Sequence, residues 1–491
     1  NIKNQYFSRI TNFIYYHITI MVLDINLLRK NKGGNPDKVR ESQRRRFASV
    51  ELVDEVIALD EKWVQLNFQI VQLNTKMNAL SKSFGIAKKN NAPTEQIAQE
   101  IEQIKLQISQ TKEAEKLAIE ERDAKLFTIG NLVPDEVPVS NDEENNAVRQ
   151  EYSEGKKITK EKLPNHIALF GKVAGTDVER GTKVAGGRGY FLCGPGALLN
   201  QAIINYAQHF LTKRGFVVMQ TPFFLEKQVM ARCAQLADFD EQLYKVTGEG
   251  QDKYLIATSE QSLCAYFMDE TVDFKAFNQK YANYRKMMGA QYPTVKKDES
   301  DYLKNYEPLT AEEIENGVIL FAGYSSCFRK EVGKHGQDTL GIFRIHQFEK
   351  VEQLIICKPE LSERMHHFII NLACEFYQEL GLPYHVVDIV SGALNDAAAR
   401  KFDLEAWFPA SQCYRELVSC SNCLDYQSRN LDIKYQGKDK REFVHMLNST
   451  LSATERTMCC IAENWAREDG IEIPPVLRPY MMGVEKIPYV Q

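Results

Sequence analysis

The chain has 491 residues, of which 44% are hydrophobic and 26% are charged, and its formal net charge is −5. This length allows two or three domains, each with a buried core. The slightly negative charge excludes binding to nucleic acid through a uniformly positive surface, so such a contact must come from local basic patches. No stretch approaches the roughly 20 apolar residues of a membrane-spanning helix, and we expect no membrane partner.

Residues 1–20 contain basic residues, among them Lys3 and Arg9, but no acidic residue. This composition allows an organellar transit peptide, although the segment is not rich in arginine and serine as such peptides are. The alternative is upstream sequence or a poorly ordered tail before a true start at Met21. The second interpretation fits better and favours a cytoplasmic protein.

The eleven cysteines are mostly scattered, and their number is odd. A disulfide framework would use an even set, so the pattern is typical of the reducing cytoplasm. Cys420 and Cys423 form a single C-x-x-C pair, to which Cys459, Cys460 and His445 are conceivable further zinc ligands. Because a second C-x-x-C is missing, a turn with buried thiols is the simpler interpretation, and we do not expect zinc.

Between Arg29 and Arg46 the sequence has eight basic residues and two acidic ones. Two interpretations are open for this segment. It could contact phosphate groups, or it could be the solvated face of a helix next to the turn at residues 33–36.

Apolar residues then recur in alternating steps of four and three, which predicts a coiled-coil seam. Its first half contains Leu59, Trp63, Leu66, Ile70, Leu73, Met77, Leu80 and Phe84, and its second half contains Ile97, Ile101, Ile104 and Ile108. The polar break at residues 88–93 is so short that the two helices must run antiparallel. We expect an arm about 40 to 50 Å long. Taken alone, such an arm is more typical of a dimerisation or scaffold element than of a nucleic-acid-binding one.

Residues 134–155 are rich in acidic residues, asparagine and proline, and they predict a linker between domains. After it, helical stretches such as 198–214 alternate irregularly with short strand-like runs such as 217–220 and 351–356. This mixture indicates an α+β fold around a largely antiparallel sheet. Residues 273–316 are polar and show little periodicity, so we interpret them as a surface insertion.

The segment Cys327–Glu352 contains two apolar-aromatic runs that flank a polar loop, as in a long β-hairpin. Arg329 and Glu331 lie two residues apart and should share a face, which Phe348 and Glu352 could also share. An arginine, a carboxylate and an aromatic ring suit a phosphate, an adenine amino group and an adenine face. An exposed, ion-paired hairpin is the alternative on spacing alone.

This hairpin resembles motif 2 of the class II aminoacyl-tRNA synthetases, and the chain as a whole resembles the seryl-tRNA synthetase family from Met21 onward. Several further segments match in the right order: 215–222 as motif 1, Ala257-Thr-Ser-Glu260, 403–409, 415–422 and 446–456 as motif 3. Residues 1–20 have no counterpart in the family, and the 273–316 segment is longer than usual. Neither departure includes a motif residue.

The resemblance implies a tRNA-binding helical domain over residues 21–133 and a class II catalytic domain over residues 156–491. That domain would have a six-stranded antiparallel sheet flanked by helices. The resemblance also implies a homodimer formed through motif 1. The arm and the motif 2 loop would bind tRNA(Ser).

For the amino acid, the resemblance implies that L-serine is bound by Thr258, Ser259, Glu260, Arg329, Glu352, Asn448 and Thr450. Glu352 is the best candidate to bind the substrate hydroxyl. A site with buried polar partners for that hydroxyl rejects alanine, and threonine must be excluded by its bulk.

For the nucleotide, the resemblance implies an ATP site formed by Arg329, Lys330, Glu331, Ile345, His346, Gln347, Phe348, Glu416, Leu417, Val418, Ser419 and Arg456. The catalytic residues would be Arg329, Glu331 and Arg456. Glu416 and Ser419 would hold Mg²⁺ through the ATP phosphates, as hard oxygen ligands do. Core packing remains the alternative for Phe348, a turn role for Ser419, and a packing or ribose contact for His346.

Two other kinds of protein share parts of this pattern. One is a synthetase-like paralogue that does not charge tRNA. The other is a coiled-coil scaffold with a merely structural second domain. The predicted tRNA-binding arm disfavours the first, and the complete set of motifs disfavours the second.

Overall fold

The computed structural model describes residues 23–153, 163–233, 242–248, 250–291, 309–332 and 341–490. The predicted extension at 1–20 therefore lies outside the described residues, as do the middle of the predicted insertion and most of the hairpin loop. The chain divides into two compact units, Asn1–Leu132 and Val133–Gln491. No helix among the described residues is long and apolar enough to cross a membrane.

The α-helices of the described residues are α1 Pro36–Arg45, α2 Glu51–Lys89, α3 Glu95–Leu126, α4 His166–Lys172, α5 Val178–Ala185, α6 Gly194–Lys213, α7 Lys227–Cys233, α8 Ser259–Cys264, α9 Phe274–Lys280, α10 Ala282–Met287, α11 Ala311–Gly317, α12 Ser362–Glu379, α13 Tyr426–Leu431 and α14 Thr454–Trp465. Short 3₁₀ helices are Ile25–Leu28, Lys30–Lys32, Glu143–Asn145, Ala265–Phe267, Pro359–Leu361, Ser391–Ala393 and Pro475–Met481.

The strands are β1 Ala147–Tyr152, β2 Thr176–Asp177, β3 Phe191–Leu192, β4 Val217–Gln220, β5 Phe224–Glu226, β6 Lys245–Val246, β7 Lys253–Leu255, β8 Thr271–Val272, β9 Val318–Phe328, β10 Gln347–Cys357, β11 Tyr384–Asp388, β12 Arg400–Phe408, β13 Cys413–Asn422, β14 Lys434–Gln436, β15 Arg441–Phe443, β16 His445–Ala453, β17 Ala466–Arg467, β18 Gly470–Glu472 and β19 Lys486–Pro488.

The first unit contains the predicted helical hairpin. Helix α2 has 39 residues and α3 has 32, so they are about 58 and 48 Å long at 1.5 Å per residue. The connection contains Asn91 in the left-handed region with φ of 51°, a conformation that asparagine tolerates better than most residues. Ile70, Ile104 and Ile108 are buried in the seam. The predicted coiled-coil arm is thus present.

The seam becomes polar towards the base of the hairpin, where Arg122 is buried. Its Nη1 atom lies 2.8 Å from Oδ1 of Asp60, and Nε of Arg29 lies 2.7 Å from Oδ2 of the same carboxylate. Both guanidinium groups lie over the ring of Trp63, whose Nε1 donates to Glu115 at 3.1 Å. The two pairs that join α2 to α3, Asp60–Arg122 and Trp63–Glu115, lie 62 and 52 residues apart along the chain. The partner on α3 moves backward as α2 advances, so the helices are antiparallel.

Several arginines of the basic segment 29–46 have partners within the first unit. Arg40 pairs with Asp54 at 2.6 Å, and Arg46 donates to the carbonyl oxygen of Asn131 at 2.9 Å. These contacts give Arg29, Arg40 and Arg46 structural partners within the unit, which favours the helix-face interpretation of this segment over that of phosphate contact. Lys30, Lys32 and Lys38 remain exposed.

The second unit is built on an eight-stranded sheet with the order β1-β11-β12-β13-β16-β10-β9-β4. Neighbouring strands are antiparallel, except that β4 runs parallel to β9. The predicted α+β class with a helical arm and a largely antiparallel sheet is confirmed. The sheet has eight strands rather than six because β1 and β4 extend its two edges.

Strand alternation divides the hydrophobic core between the two sides of the sheet. On β9, Leu320 and Ala322 pack in one cluster with α6, α12 and α14, whereas Ile319 and Phe321 pack in a second cluster with α8 and α9. Strand β10 contributes to both clusters in the same alternating way. The functional residues of β10 lie on the side of the sheet that contains Ile319 and Phe321.

Two predicted boundaries need correction. Within the expected linker at 134–155, residues Ala147–Tyr152 form edge strand β1, which pairs with β11. Its high content of polar residues is compatible with an edge, because an edge strand is half solvated. The expected surface insertion at 273–316 is partly core: Phe274 and Phe277 are buried in the second cluster, and the buried guanidinium of Arg285 donates to Gly215 O at 2.8 Å.

Candidate active site

A cavity of about 260 Å³ lies on the sheet in the second unit. It is lined by residues of the hairpin β9–β10, of β13 and β16, and of the beginnings of α8 and α14. The lining includes these predicted site residues: Thr258, Glu260, Arg329, Glu331, Ile345, Phe348, Glu352, Glu416, Leu417, Ser419, Asn448, Thr450 and Arg456. Residues that are up to about 200 positions apart in the sequence therefore meet in one site.

Strand β10 supplies three of these side chains by simple alternation. Phe348, Lys350 and Glu352 all line the cavity, and Leu354 and Ile356 follow on the same side as core residues. The strand thus changes from apolar to polar along one face, at the point where the core ends and the cavity begins.

Strand β13 supplies Glu416 and Ser419, which lie an odd number of residues apart. In a regular strand they would point to opposite sides of the sheet. The pairing of β12 with β13 contains an irregularity in which Glu405 pairs with Glu416 and Leu404 with Val418, so that Leu417 is extra. Such a β-bulge brings both polar side chains into the cavity.

The other predicted residues lie around the cavity rather than in its lining. Ser259 is fully buried behind Glu352, and Val418 is fully buried in the core. The Lys330 amide donates to Gln242 O at 2.9 Å, and the Arg329 amide donates to His346 O at 2.9 Å. The carbonyl oxygen of Gln347 accepts a hydrogen bond from the Tyr190 hydroxyl at 3.0 Å. The cavity lining therefore does not include these five predicted residues: Ser259, Lys330, His346, Gln347 and Val418.

Glu352 is the most constrained acid of the site and is only 3% exposed. Its Oε2 atom accepts hydrogen bonds from the Thr258 hydroxyl, the Ser259 hydroxyl at 2.6 Å and the Glu260 amide at 3.2 Å. Lys350 forms an ion pair with Oε1. Burial by itself raises the pKa of Glu352, but the charge and hydrogen bonds of Lys350 and the two hydroxyls outweigh it, and the pKa is lowered.

Glu260 is the second acidic residue in this part of the cavity, next to Glu352. Its Oε1 atom accepts hydrogen bonds from Gln427 Nε2 at 2.7 Å and from Asn448 Nδ2 at 2.9 Å. Burial, together with the like charge of Glu352, raises its pKa to about 7, although Gln427 and Lys350 act in the opposite direction. The two neighbouring acids therefore titrate in different pH ranges.

Arg329 lines the cavity and comes directly after β9. Its Nε donates to the carbonyl oxygen of Ala257 at 3.3 Å, and its Cζ lies 5.3 Å from the centre of the Phe348 ring. The guanidinium is thereby oriented, and it still lines the cavity. Glu331 pairs with Arg344 at 3.0 Å, so it does not form the exposed ion pair with Arg329 that spacing alone allowed.

Arg456, at the beginning of α14, also lines the cavity. Its Cζ is 5.1 Å from the centre of the Phe343 ring, and its Nη1 donates to the carbonyl oxygen of Glu416 at 3.2 Å. Burial lowers the pKa of Arg456 from that of a free arginine, and Glu416 opposes this effect. An arginine pKa starts so high that the group stays charged near neutral pH.

The predicted magnesium ligands are compatible with this arrangement. Glu416 and Ser419 both line the cavity and offer hard oxygen atoms. Within the described ranges there is no group of three or more His, Cys, Asp or Glu side chains arranged to hold a metal. Mg²⁺ commonly needs only one or two carboxylates because nucleotide phosphates and water supply the other ligands. The two residues therefore fit a metal that arrives with ATP.

The cysteines considered as zinc ligands have other surroundings. Cys420 is buried, and its thiol lies 3.9 Å from His366 O. The thiol of Cys423 accepts from Asn448 Nδ2 at 3.6 Å. Burial raises the pKa of the thiols of Cys420, Cys459 and Cys460.

The sequence interpretation missed several residues that line the cavity, namely Ile342, Phe343, Arg344, Lys350, Asn395, Ser421, Ala453 and Glu455. Lys350 could have been found, because it lies between Phe348 and Glu352 on the same side of β10. Arg344 could not, because its pairing with Glu331 depends on how the hairpin loop closes.

Comparisons with known proteins agree with this fold and site. Residues 313–465 match the sequence profile of the class II tRNA synthetase core domain (G, H, P, S and T). Residues 22–133 match the profile of the seryl-tRNA synthetase N-terminal domain. The antiparallel sheet with motifs 2 and 3 around one cavity is thus that of a class II aminoacyl-tRNA synthetase.

Similar proteins of known name cover nearly the whole chain. The cytoplasmic serine–tRNA ligase of Arabidopsis thaliana is 51% identical over 95% of this chain and 96% of its own length. The cytoplasmic serine–tRNA ligase of Dictyostelium discoideum is 47% identical over 96% of both chains. The chain belongs to the seryl-tRNA synthetase family.

Two solved structures extend the comparison to the fold. The cytoplasmic serine–tRNA ligase of Naegleria fowleri, in complex with AMP, matches with a TM-score of 0.78 at 45% identity, over 96% of this chain and 99% of that one. The seryl-tRNA synthetase of Pyrococcus horikoshii, complexed with ATP, matches with a TM-score of 0.81 at 32% identity, over 96% of this chain and all of that one.

Proposed function

We propose that this chain activates L-serine with ATP and transfers it to tRNA(Ser). In the first step an oxygen of the serine carboxylate attacks the α-phosphorus of ATP, and pyrophosphate leaves. In the second step a terminal ribose hydroxyl of the tRNA attacks the carbonyl carbon of seryl-adenylate, and AMP leaves. The observation that carries the proposal is the meeting, in one cavity, of two arginines with the buried hydroxyl and carboxylate network around Glu352.

Arg329 is proposed to hold both reacting groups. Its planar guanidinium carries five N–H donors in a fixed fork, so it can donate to the serine carboxylate and to the α-phosphate at the same time. Because Ala257 O and the Phe348 ring orient it before substrates arrive, little reorganisation is needed in the transition state.

The serine pocket is proposed to be the half of the cavity that contains Glu352 and Glu260. Three donors already occupy Oε2 of Glu352, whereas Oε1 contacts Lys350. Each carboxylate oxygen offers about two acceptor sites, and Lys350 takes one of those on Oε1, so Oε1 can still accept a hydrogen bond from the substrate hydroxyl. Glu260, with Thr258, Asn448 and Thr450 around it, is proposed to bind the ammonium group of serine.

ATP is proposed to bind in the other half of the cavity. Phe348 would lie against the adenine ring and Glu331 would accept from its amino group, with the hairpin backbone at Lys330, Ile345, His346 and Gln347 shaping the pocket. Arg456 would contact the other side of the nucleotide. Glu416 and Ser419 would hold Mg²⁺, which neutralises charge on the phosphates.

The tRNA partner is proposed from the charge of α2 as well as from the N-terminal family match. Between Lys62 and Lys89 this helix has five lysines and no acidic residue. Lys76, Lys82 and Lys88 are exposed, so the outer part of the hairpin presents a positive face to phosphates. Residues 21–133 are accordingly proposed as the tRNA-binding domain, with the motif 2 loop as a second contact.

We further propose that the chain acts as a homodimer in the cytoplasm, with residues 156–491 as the catalytic domain. Phe224, two residues after motif 1, has a large, apolar and exposed side chain, as do Phe191 and Leu198. Exposed apolar side chains of this size are commonly covered by a partner. The similar proteins from Arabidopsis and Dictyostelium are named as cytoplasmic.

Exchange of radiolabelled pyrophosphate into ATP tests serine activation with the purified chain and each candidate amino acid. We expect exchange that depends on serine and is at least ~100-fold weaker with alanine, because alanine leaves the buried polar groups around Glu352 unpaired. A scaffold protein would give no exchange. Exchange with another amino acid but not with serine would contradict the proposed substrate.

A synthetase-like paralogue is separated from the proposed enzyme by the second step. Such a paralogue would support serine-dependent exchange but would not load tRNA(Ser). Exchange and loading are therefore measured on the same preparation.

A further inference from the structure

The carboxylate of Glu260 is held by two amides, only one of which belongs to the predicted serine pocket. Asn448 comes from β16, within motif 3. Gln427 comes from α13, the short helix Tyr426–Leu431, and is 6% exposed. Its Nε2 lies 2.7 Å from Oε1 of Glu260, compared with 2.9 Å for Nδ2 of Asn448.

The orientation of the Gln427 amide follows from its contact with Glu260. An ionised carboxylate only accepts hydrogen bonds, so the NH₂ group of Gln427 faces Glu260 and the amide oxygen faces away from it. At that other end the thiol of Cys264, at the end of α8, lies 3.7 Å from Oε1 of Gln427 and donates to it. The amide is buried and has a partner at each end, as expected of a side chain with a single allowed orientation.

We infer that Gln427 is a positioning residue for the amino-acid substrate: its amide holds the Glu260 carboxylate in the cavity, facing the substrate ammonium group. The inference rests on the proposed role of Glu260 in serine binding. Gln427 does not line the cavity and touches neither substrate. It acts through Glu260 alone.

The charge state of Glu260 gives this role a measurable signature. The charged and titratable groups that face Glu260 are Glu352 and Lys350 on β10, Arg329 after β9, and the thiols of Cys233 and Cys264. Burial raises the pKa of Glu260 to about 7, and the hydrogen bond from Gln427 lowers it. Removing that donor should raise the pKa further, so that less of the carboxylate is ionised at neutral pH.

The test is the steady-state ATP–pyrophosphate exchange of the full chain carrying Gln427→Met, which keeps the shape of the side chain but has no donor. We expect KM for serine to rise by about 10- to 100-fold, the range for a lost hydrogen bond to a charged group. KM for ATP should stay within about twofold. The pH at which serine binding reaches half its maximum should move upward.

A control and a second variant complete the test. Asn430→Leu removes a buried amide from the same helix α13, whose Nδ2 donates to Arg232 O at 2.7 Å, and it should leave KM for serine within about twofold. Gln427→Glu should shift the pH profile upward by more than Gln427→Met does. Its introduced carboxylate loses the donor and also places a like charge beside Glu260, which raises the pKa of Glu260 further.

The outcomes separate the inference from the function on which it rests. A Gln427→Met protein with unchanged KM for serine and an unshifted pH profile would overturn the inference alone. So would an equal loss with Asn430→Leu, which would mean that α13 acts only as a packing element. Absence of serine-dependent exchange in the unmodified chain would instead contradict the proposed function.

Discussion

At the scale of single residues, the site combines groups whose charges are set by their surroundings. Glu352 and Glu260 are neighbours, yet Lys350 and two hydroxyls lower the pKa of Glu352, while burial raises that of Glu260. One acid is therefore ionised throughout the physiological range, and the other titrates within it. Such divergence between adjacent carboxyl groups is typical of functional sites.

Arg329→Ala should abolish adenylate formation. The substitution removes the proposed link between the serine carboxylate and the α-phosphate, and loss of one such transition-state contact commonly costs about 100- to 1,000-fold in rate. Exchange of pyrophosphate is the measurement, with Arg467→Ala as a control, because Arg467 pairs with Glu472 on the surface. Near-normal exchange by Arg329→Ala would refute the assigned role.

The raised pKa of Glu260 predicts a pH dependence of serine use. Only the ionised carboxylate attracts an ammonium group, so kcat/KM for serine should increase as the pH rises through about 7 and decrease below it. In a Glu260→Gln protein, which cannot ionise there, the remaining activity should lack this step. If the unmodified chain and the Glu260→Gln protein showed the same pH dependence, the titrating group would be a residue other than Glu260.

At the scale of elements, the helical hairpin of α2 and α3 can be predicted from the sequence, but the polar contacts at its base cannot. A regular 3–4 spacing of apolar residues is a local signal, and it located both helices and the break between them. Positions such as Asp60 and Arg122 look polar in the sequence, and only the structure pairs them 2.8 Å apart inside the seam. The bulge at Leu417, which brings Glu416 and Ser419 together, likewise depends on pairing between distant strands.

Asp60→Ala should destabilise the first unit by about 3 to 5 kcal/mol, because it removes the buried carboxylate shared by Arg122 and Arg29 and leaves Arg122 with Asp123 as its remaining acidic partner. Denaturant unfolding can be followed by Trp63 fluorescence after Trp407 and Trp465 are replaced by phenylalanine. Asp54→Ala removes an exposed partner of Arg40 and should cost less than about 1 kcal/mol. Equal effects of the two substitutions would argue against the buried network.

Replacing Lys76, Lys82, Lys88 and Lys89 with glutamine should weaken tRNA binding by the arm. Each lost phosphate contact should reduce the salt dependence of binding by about one unit of logarithmic slope, whereas serine activation should be unaffected. Filter binding at several salt concentrations measures the slope. Lys105→Gln on α3, where Lys105 pairs with Glu102, is the control. An unchanged slope in the fourfold variant would exclude these lysines as the tRNA contact.

At the scale of the whole molecule, the family resemblance supplied what local patterns could not. Periodicity alone favoured a scaffold for the arm, and the spacing of Arg329 and Glu331 allowed an ordinary ion pair. The order of several motifs predicted one shared site, and the structure places their residues around one cavity. Residues that the motifs did not single out, such as Arg344 and Gln427, could be identified only from the contacts that the structure shows.

The central claim is that one chain performs both serine activation and transfer to tRNA. Loading of radiolabelled serine onto purified tRNA(Ser), with ATP and Mg²⁺, tests it most directly. We predict ester-linked serine on the tRNA that requires both ATP and tRNA(Ser), with little loading of alanine or threonine. Serine-dependent pyrophosphate exchange without any loading of tRNA(Ser) would contradict the account.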